Sequence, residues 1–103
     1  MFVRVSRGLF AFDRFDEMET RLRDAETELA PAIGQLPGLI DYYAGIDRSS
    51  ASMIRVSVWD TQEHAEAMAR LPEVIRLRGE FEAAGVEWDP VNTYQVTWWV
   101  QSS

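Results

Sequence analysis

The strongest constraint on how this chain can fold is the order in which its hydrophobic period changes. Residues 2–7, Phe-Val-Arg-Val-Ser-Arg, set Val3 and Val5 against Arg4 and Ser6 up to Gly8, the period of two of a β-strand. From Asp13 the period lengthens. Phe15, Met18, Leu22, Ala25 and Leu29 fall on one helical stripe, with Asp13 placed to cap it and Asp16 and Glu17 suited to the positive end of the dipole. Pro31 has no backbone donor and restricts Ala30, which predicts a kink or a fresh turn before Leu36-Pro37-Gly38 ends the helical segment.

The period of two then returns over about 39–46 and about 52–59, on either side of the polar turn Asp47-Arg48-Ser49-Ser50, which reads as a hairpin. Asp60-Thr61-Gln62-Glu63 has the spacing of a capping box, so a second helix is expected to begin with Asp60 as its cap. Pro72, acceptable as the first residue of a helix, restarts it as another piece carrying Val74, Leu77, Phe81 and Ala84 as far as Gly85. After Trp88-Asp89-Pro90, the β-forming residues of 92–100 predict a last strand.

The order βαββαβ with short connections predicts an α+β, ferredoxin-like fold: a four-stranded antiparallel sheet with both helices on one face. A chain of 103 residues has room for one such domain, spanning 1–103. Sorting strand positions by alternation yields one set that is nearly all apolar: Val3, Val5, Ile40, Tyr42, Ala44, Ile46, Ile54, Val56, Val58, Tyr94, Val96, Trp98 and Val100. This set is expected beneath the helices, with Trp98 in the core. The other set mixes Arg4, Ser6, Asp41, Tyr43, Met53, Arg55, Ser57, Trp59, Thr93, Gln95, Thr97 and Trp99. Too aromatic for open water, it is expected to form a dimer interface or a wet cavity, with Asp41 an available ion-pair partner for Arg4 or Arg55.

Composition removes several chemistries. The 17 acidic residues against 10 basic ones, all of them Arg, make a formal charge of −7 without the Lys and Arg clusters that nucleic acid or an anionic membrane surface would require. There is no Cys for disulfide, thiolate or metal chemistry, and His64 is the single His. No 18-residue apolar stretch and no secretory leader pattern is present, so a cytoplasmic protein is expected.

Three short motifs carry a family likeness: Leu36-Pro37-Gly38-Leu39 opening the second strand, Val58-Trp59-Asp60-Thr61-Gln62-Glu63-His64-Ala65 joining the third strand to the second helix, and the later Leu71-Pro72 break. Together they resemble the antibiotic-biosynthesis monooxygenase superfamily, over nearly the whole chain. The resemblance implies a homodimer in which two sheets face each other and the helices lie outside, a dimeric α/β barrel. Catalytic members of that family oxidise an aromatic, polyketide-like compound with molecular oxygen and without metal or flavin, so no cofactor is expected. The haem-degrading branch is disfavoured, because Ile75-Arg76-Leu77-Arg78 contains no His where those members carry their haem ligand.

In such a site the protein must bind a ring, exclude water and stabilise an oxyanion. Arg55 or Arg4 has the charge for the last task, Tyr43 and Gln95 can hydrogen-bond the oxygen, and Trp59 or Trp99 can stack on the ring. His64 has the intrinsic chemistry of a general base, against its plainer reading as a first-turn helix residue. Trp59 likewise has a plain reading as packing at the strand-to-helix corner. The apolar run Leu9-Phe10-Ala11-Phe12 is either a lid over a pocket or a continuation of the first strand that packs against the dimer mate. The expected function is monooxygenase-like oxidation of a small aromatic compound; the alternative is a non-catalytic binding or self-association module on the same scaffold.

Overall fold

The structure, a computed structural model, describes residues 1–102. Strand β1 (Phe2–Leu9) leads through a single 3-10 turn, Phe12–Arg14, into helix α1 (Phe15–Gly34). The hairpin β2 (Leu39–Asp47) and β3 (Ser52–Trp59) follows, then α2 (Gln62–Ala67), a 3-10 turn at Met68–Arg70, and α3 (Pro72–Ala83). Two short strands close the chain, β4 (Glu87–Trp88) and β5 (Asn92–Gln95). The fold is ferredoxin-like, with an antiparallel sheet in the order β2-β3-β1 and the fourth place shared by β4 and β5, both paired to β1.

That fourth place is one edge strand interrupted by a bulge. Between the pairs Gly8↔Trp88 and Val5↔Asn92, β1 contributes Ser6 and Arg7 while the edge contributes Asp89, Pro90 and Val91. Pro90 has no N–H to give the ladder, so an edge position with an extra residue is where it fits. The Asp89 amide still reaches the Arg7 carbonyl at 2.8 Å, which keeps the edge attached.

The core lies between the sheet and the helices. Met18 and Ile33 of α1, Met53 and Trp59 of β3, and Met68 are almost fully buried, joined by Phe10, Phe15, Leu29, Val74, Leu77, Phe81 and Val86. The helical stripes thus pack as their spacing predicts. Phe10 is buried and its amide bonds to the Ala51 carbonyl at 3.1 Å, whereas Phe12 is exposed. Half of the apolar run therefore continues the strand inward.

The assignment of the sheet faces is corrected by the structure. Alternation separates the two faces of β1 and β3 as read, but the helices cover the face of Arg4, Ser6, Met53, Arg55, Ser57 and Trp59, all buried. Val3, Val5, Ile54, Val56 and Val58 lie on the other face, which no element of the chain covers; Ile54 is exposed, and Val56, though buried, stands apart from the core cluster. In β2 two of the expected residues, Tyr42 and Ile46, do pack on the core opposite Ser57 and Met53, whereas Ile40 and Ala44 are exposed and Leu39 packs inward at the start of the strand. The irregularity between Leu39 and Asp41 accompanies this change of phase, since a one-residue shift moves every side chain to the other face. Asp41 consequently sits across the sheet from Arg4 and Arg55 and cannot pair with them.

Other local expectations also change. Asp13 lies in the 3-10 turn and does not cap α1, and Pro31 stands inside α1 without ending it. The cap of α2 is Thr61 and not Asp60, with the His64 amide donating to Thr61 Oγ at 3.1 Å. Strand pairing stops at Gln95, so Trp98 is 77% exposed and outside the core.

Candidate functional site

The polar residues of β1 and β3 that face the helices form an arginine-rich site. Arg4 and Arg55 rise from adjacent strands, each at least nine-tenths buried, and Arg78 comes down on them from α3. Arg78 donates to Ser6 Oγ at 3.2 Å and has Glu82 at 4.0 Å from its Nε. Arg4 and Arg55 have no carboxylate partner among the described residues, and the Nε and Nη2 of Arg55 are buried with no hydrogen-bond acceptor at all. The buried indole Nε1 of Trp59 is likewise without a partner.

Trp88 forms the floor beside these cations. Its ring lies 5.0 Å from the Arg55 guanidinium and 4.9 Å from that of Arg78, within cation–π range of both. The indole N–H donates to the Arg78 carbonyl at 3.3 Å, and Phe81 packs edge-on against the ring. Tyr42 places its hydroxyl beside Arg55 and Arg4; burial pushes its phenol above the ordinary value, against the pull of the two cations. It is therefore a neutral hydrogen-bonding group at neutral pH. Burial lowers Arg4, with Arg55 and Arg78 adding repulsion; burial also lowers Arg55, which Tyr42 supports and Arg78 opposes. Guanidinium groups stay protonated under such pressure.

An open cavity of about 340 Å³ is lined by Arg4, Arg55 and Arg78 together with the apolar Ala69, Val74, Ile75 and Val91. It shares Arg4, Ala69 and Val91 with a neighbouring depression of about 390 Å³ that carries Gln62, Glu66, Asn92 and Thr93. A cationic end and an apolar wall suit a small conjugated molecule bearing negative charge.

The sequence-derived candidates are thus divided. Arg4 and Arg55 are brought together under the helices, whereas Trp59, on the same face, is packed in the hydrophobic core outside the cavity lining. Tyr43 is more than half exposed on the opposite face of the sheet, so it does not meet Arg55; its neighbour Tyr42 does. His64 lies outside the lining of the arginine cavity, with its Nδ1 2.6 Å from Asp60 Oδ1. Gln95 is exposed at the end of β5 opposite Phe2, and Trp99 is exposed beyond it.

Arg78, Tyr42 and Trp88 escape a reading of the sequence. A signal for Arg78 is present nonetheless: it stands four residues after Val74 and three before Phe81, a charge embedded in the buried stripe of α3. No group of three or more His, Cys, Asp or Glu that could hold a metal ion occurs among the described residues.

No protein-family model matches the sequence, and no curated protein matches it. Solved structures do. A proposed antibiotic biosynthesis monooxygenase from Deinococcus radiodurans superposes with a TM-score of 0.76 at 17% identity, over 100% of this chain and 99% of that one. SnoaB, a cofactor-independent oxygenase from Streptomyces nogalater, superposes at 0.68 and 13% identity, over 98% and 97%. A proposed antibiotic biosynthesis monooxygenase from Nitrosomonas europaea superposes at 0.70 and 12% identity, over 95% and 100%. The chain therefore shares its fold with these solved structures. At these identities the likeness is one of fold.

Proposed function

We propose that the arginine-lined cavity binds a small aromatic compound with an ionisable oxygen and oxidises it with molecular oxygen. The observation that carries this reading is the Arg55 guanidinium, buried at the cavity wall with no carboxylate partner and with its Nε and Nη2 lacking any acceptor. A desolvated cation already in place stabilises an enolate or phenolate more strongly than one in water, and it needs no reorganisation when that charge forms. For an anthrone, the methylene loses a proton to solvent and the resulting anion supplies electrons to dioxygen. One oxygen atom ends as the new ring carbonyl, and the other leaves as water with the two methylene hydrogens.

Arg55 and Arg4 hold the oxyanion in this scheme, and Tyr42 steadies Arg55 from outside the cavity lining. Val74, Ile75 and Val91 pack against the ring and exclude water. His64, held by Asp60 away from the cavity, is assigned no part in the chemistry.

The same reading makes the protein a cytoplasmic homodimer. Val3, Val5, Tyr43, Ile54, Val58 and Tyr94 leave an apolar sheet face without cover, and a second copy presenting the same face would bury it by sheet-on-sheet packing. In the described residues no helix is long and apolar enough to cross a membrane.

Oxygen uptake with a dihydroxyanthrone tests the reading. Uptake matched by quinone formation and abolished in Arg55→Met supports it. Saturable binding of the compound without any uptake would turn it to a binding protein, an outcome favoured by one feature: among the described residues, the cavity lining holds no carboxylate or imidazole to act as base.

A further inference from the structure

Resting on the ligand site just proposed, the charge balance of that site says more about what occupies it. The chain carries a formal charge of −7, and most of its surface arginines are matched by acids: Arg7 by Asp89, Arg14 and Arg21 by Glu17, Arg23 by Glu19, Arg48 by Asp16, Arg76 by Glu28 and Glu80. Arg70 stands unpaired in solvent, but among the described residues the arginines that are buried without a carboxylate are Arg4 and Arg55, in a chain where acids outnumber arginine. Both face the same cavity, and Arg78 beside them has only a distant Glu82.

Two buried guanidiniums without counter-charge are unfavourable when the cavity is empty, and one phenolate neutralises only one of them. We propose that the ligand is an aromatic hydroxy acid, whose carboxylate and ionisable hydroxyl together match Arg4 and Arg55. Arginine forks suit a planar carboxylate better than a point charge would. The opposite wall, Val74, Ile75 and Val91, is apolar, which favours a ring over a hydrated inorganic anion. The Nε and Nη2 of Arg55 find no acceptor within the chain, so the cation's charge stays uncompensated until an anion enters the cavity its side chain lines.

Anaerobic titration calorimetry of the full chain separates this inference from the oxidation reading, because binding is measured with oxygen absent. The probes are a hydroxynaphthoate with adjacent acid and hydroxyl, its methyl ester, naphthol and inorganic phosphate. The acid is expected to bind at least about tenfold more tightly than the ester or naphthol, with phosphate weaker still. Arg55→Met and Arg4→Met should each weaken the acid by about tenfold or more and the ester much less. Ligand-free Arg55→Met should melt no lower than the parent protein, since it loses a buried charge that had no counter-ion; a structural arginine would show the opposite.

Equal binding of acid and ester, phosphate binding as tight as the acid, or a marked fall in the melting temperature of both Met variants would each overturn the inference. Equal binding of acid and ester would leave anthrone oxidation standing, whereas absent oxygen uptake would leave the hydroxy-acid site standing.

Discussion

Arg55 and Trp88 meet beneath α3 with the guanidinium 5.0 Å from the indole ring, and Gly8 of β1 is what lets the ring lie there. A Cβ on Gly8 would stand 2.9 Å from two ring carbons of Trp88 and 2.7 Å from a methyl of Val86. Neither neighbour is free to move, because Phe81 and Arg78 hold the ring from other sides and Val86 is in the core.

Gly8→Ala should therefore displace the ring and loosen both arginines. The expected loss is about 1–3 kcal/mol of stability from overpacking, read from urea unfolding, with a fall in ligand affinity beyond that of a distant substitution of equal cost. An unchanged unfolding midpoint would mean that Trp88 does not rest on the Gly8 backbone.

Trp59 offers a second test, because its size and its N–H act in opposite directions. The side chain is fully buried, so Trp59→Ala should cost about 3–5 kcal/mol. Trp59→Phe opens a smaller cavity and removes a buried donor with no acceptor, so about 1 kcal/mol is expected. Urea midpoints of the two variants decide it. A Phe variant as unstable as the Ala variant would show that the indole N–H is satisfied in the unliganded protein.

The physical reasons why some of this was legible from sequence, and some not, differ from residue to residue. Ser52–Trp59 and Leu39–Asp47 follow from alternation and a polar turn, and Pro72 begins α3 as its chemistry allows. Arg4 and Arg55 were separable from the valines beside them by the same alternation. Which face the helices cover was not, because alternation is symmetric and the more apolar face of this sheet is the uncovered one. Simple alternation groups Tyr43 with Arg55, but β2 runs out of phase with its neighbours after the irregularity at Leu39 to Asp41, which brings Tyr42 there instead. Trp88 owes its place to its pairing with Gly8 at the sheet edge, a long-range contact that local sequence does not signal.

The uncovered face leads to a prediction about assembly. Ile54 lies near its middle, between Arg7 on β1 and Gly45 on β2, and is exposed in the single chain. Ile54→Lys puts a charge where a second sheet would pack, so sedimentation velocity should show a dimer for the parent protein and a monomer for the variant, with unchanged far-ultraviolet circular dichroism. A monomeric parent chain would remove the homodimer from the functional reading.

Acid stability follows from three carboxylates whose partners hold them below the ordinary range: Glu17 by hydrogen bonds from Arg14 and Arg21, Asp47 by Ser50 and Ser49, and Asp60 by His64. In each case the unfolded chain takes up its proton at a higher pH than the folded one. Between the two values the unfolded state binds more protons, so stability rises with pH there; the contribution is complete above the unfolded value of about 4 and is lost as pH falls through the folded one. All three groups are exposed, so the increments are small and salt-sensitive. Urea midpoints should hold steady from neutrality to about pH 5 and then fall towards pH 3, more gently in Asp47→Asn, which cannot titrate. A midpoint unchanged down to pH 3 would show that these hydrogen bonds do not persist in solution.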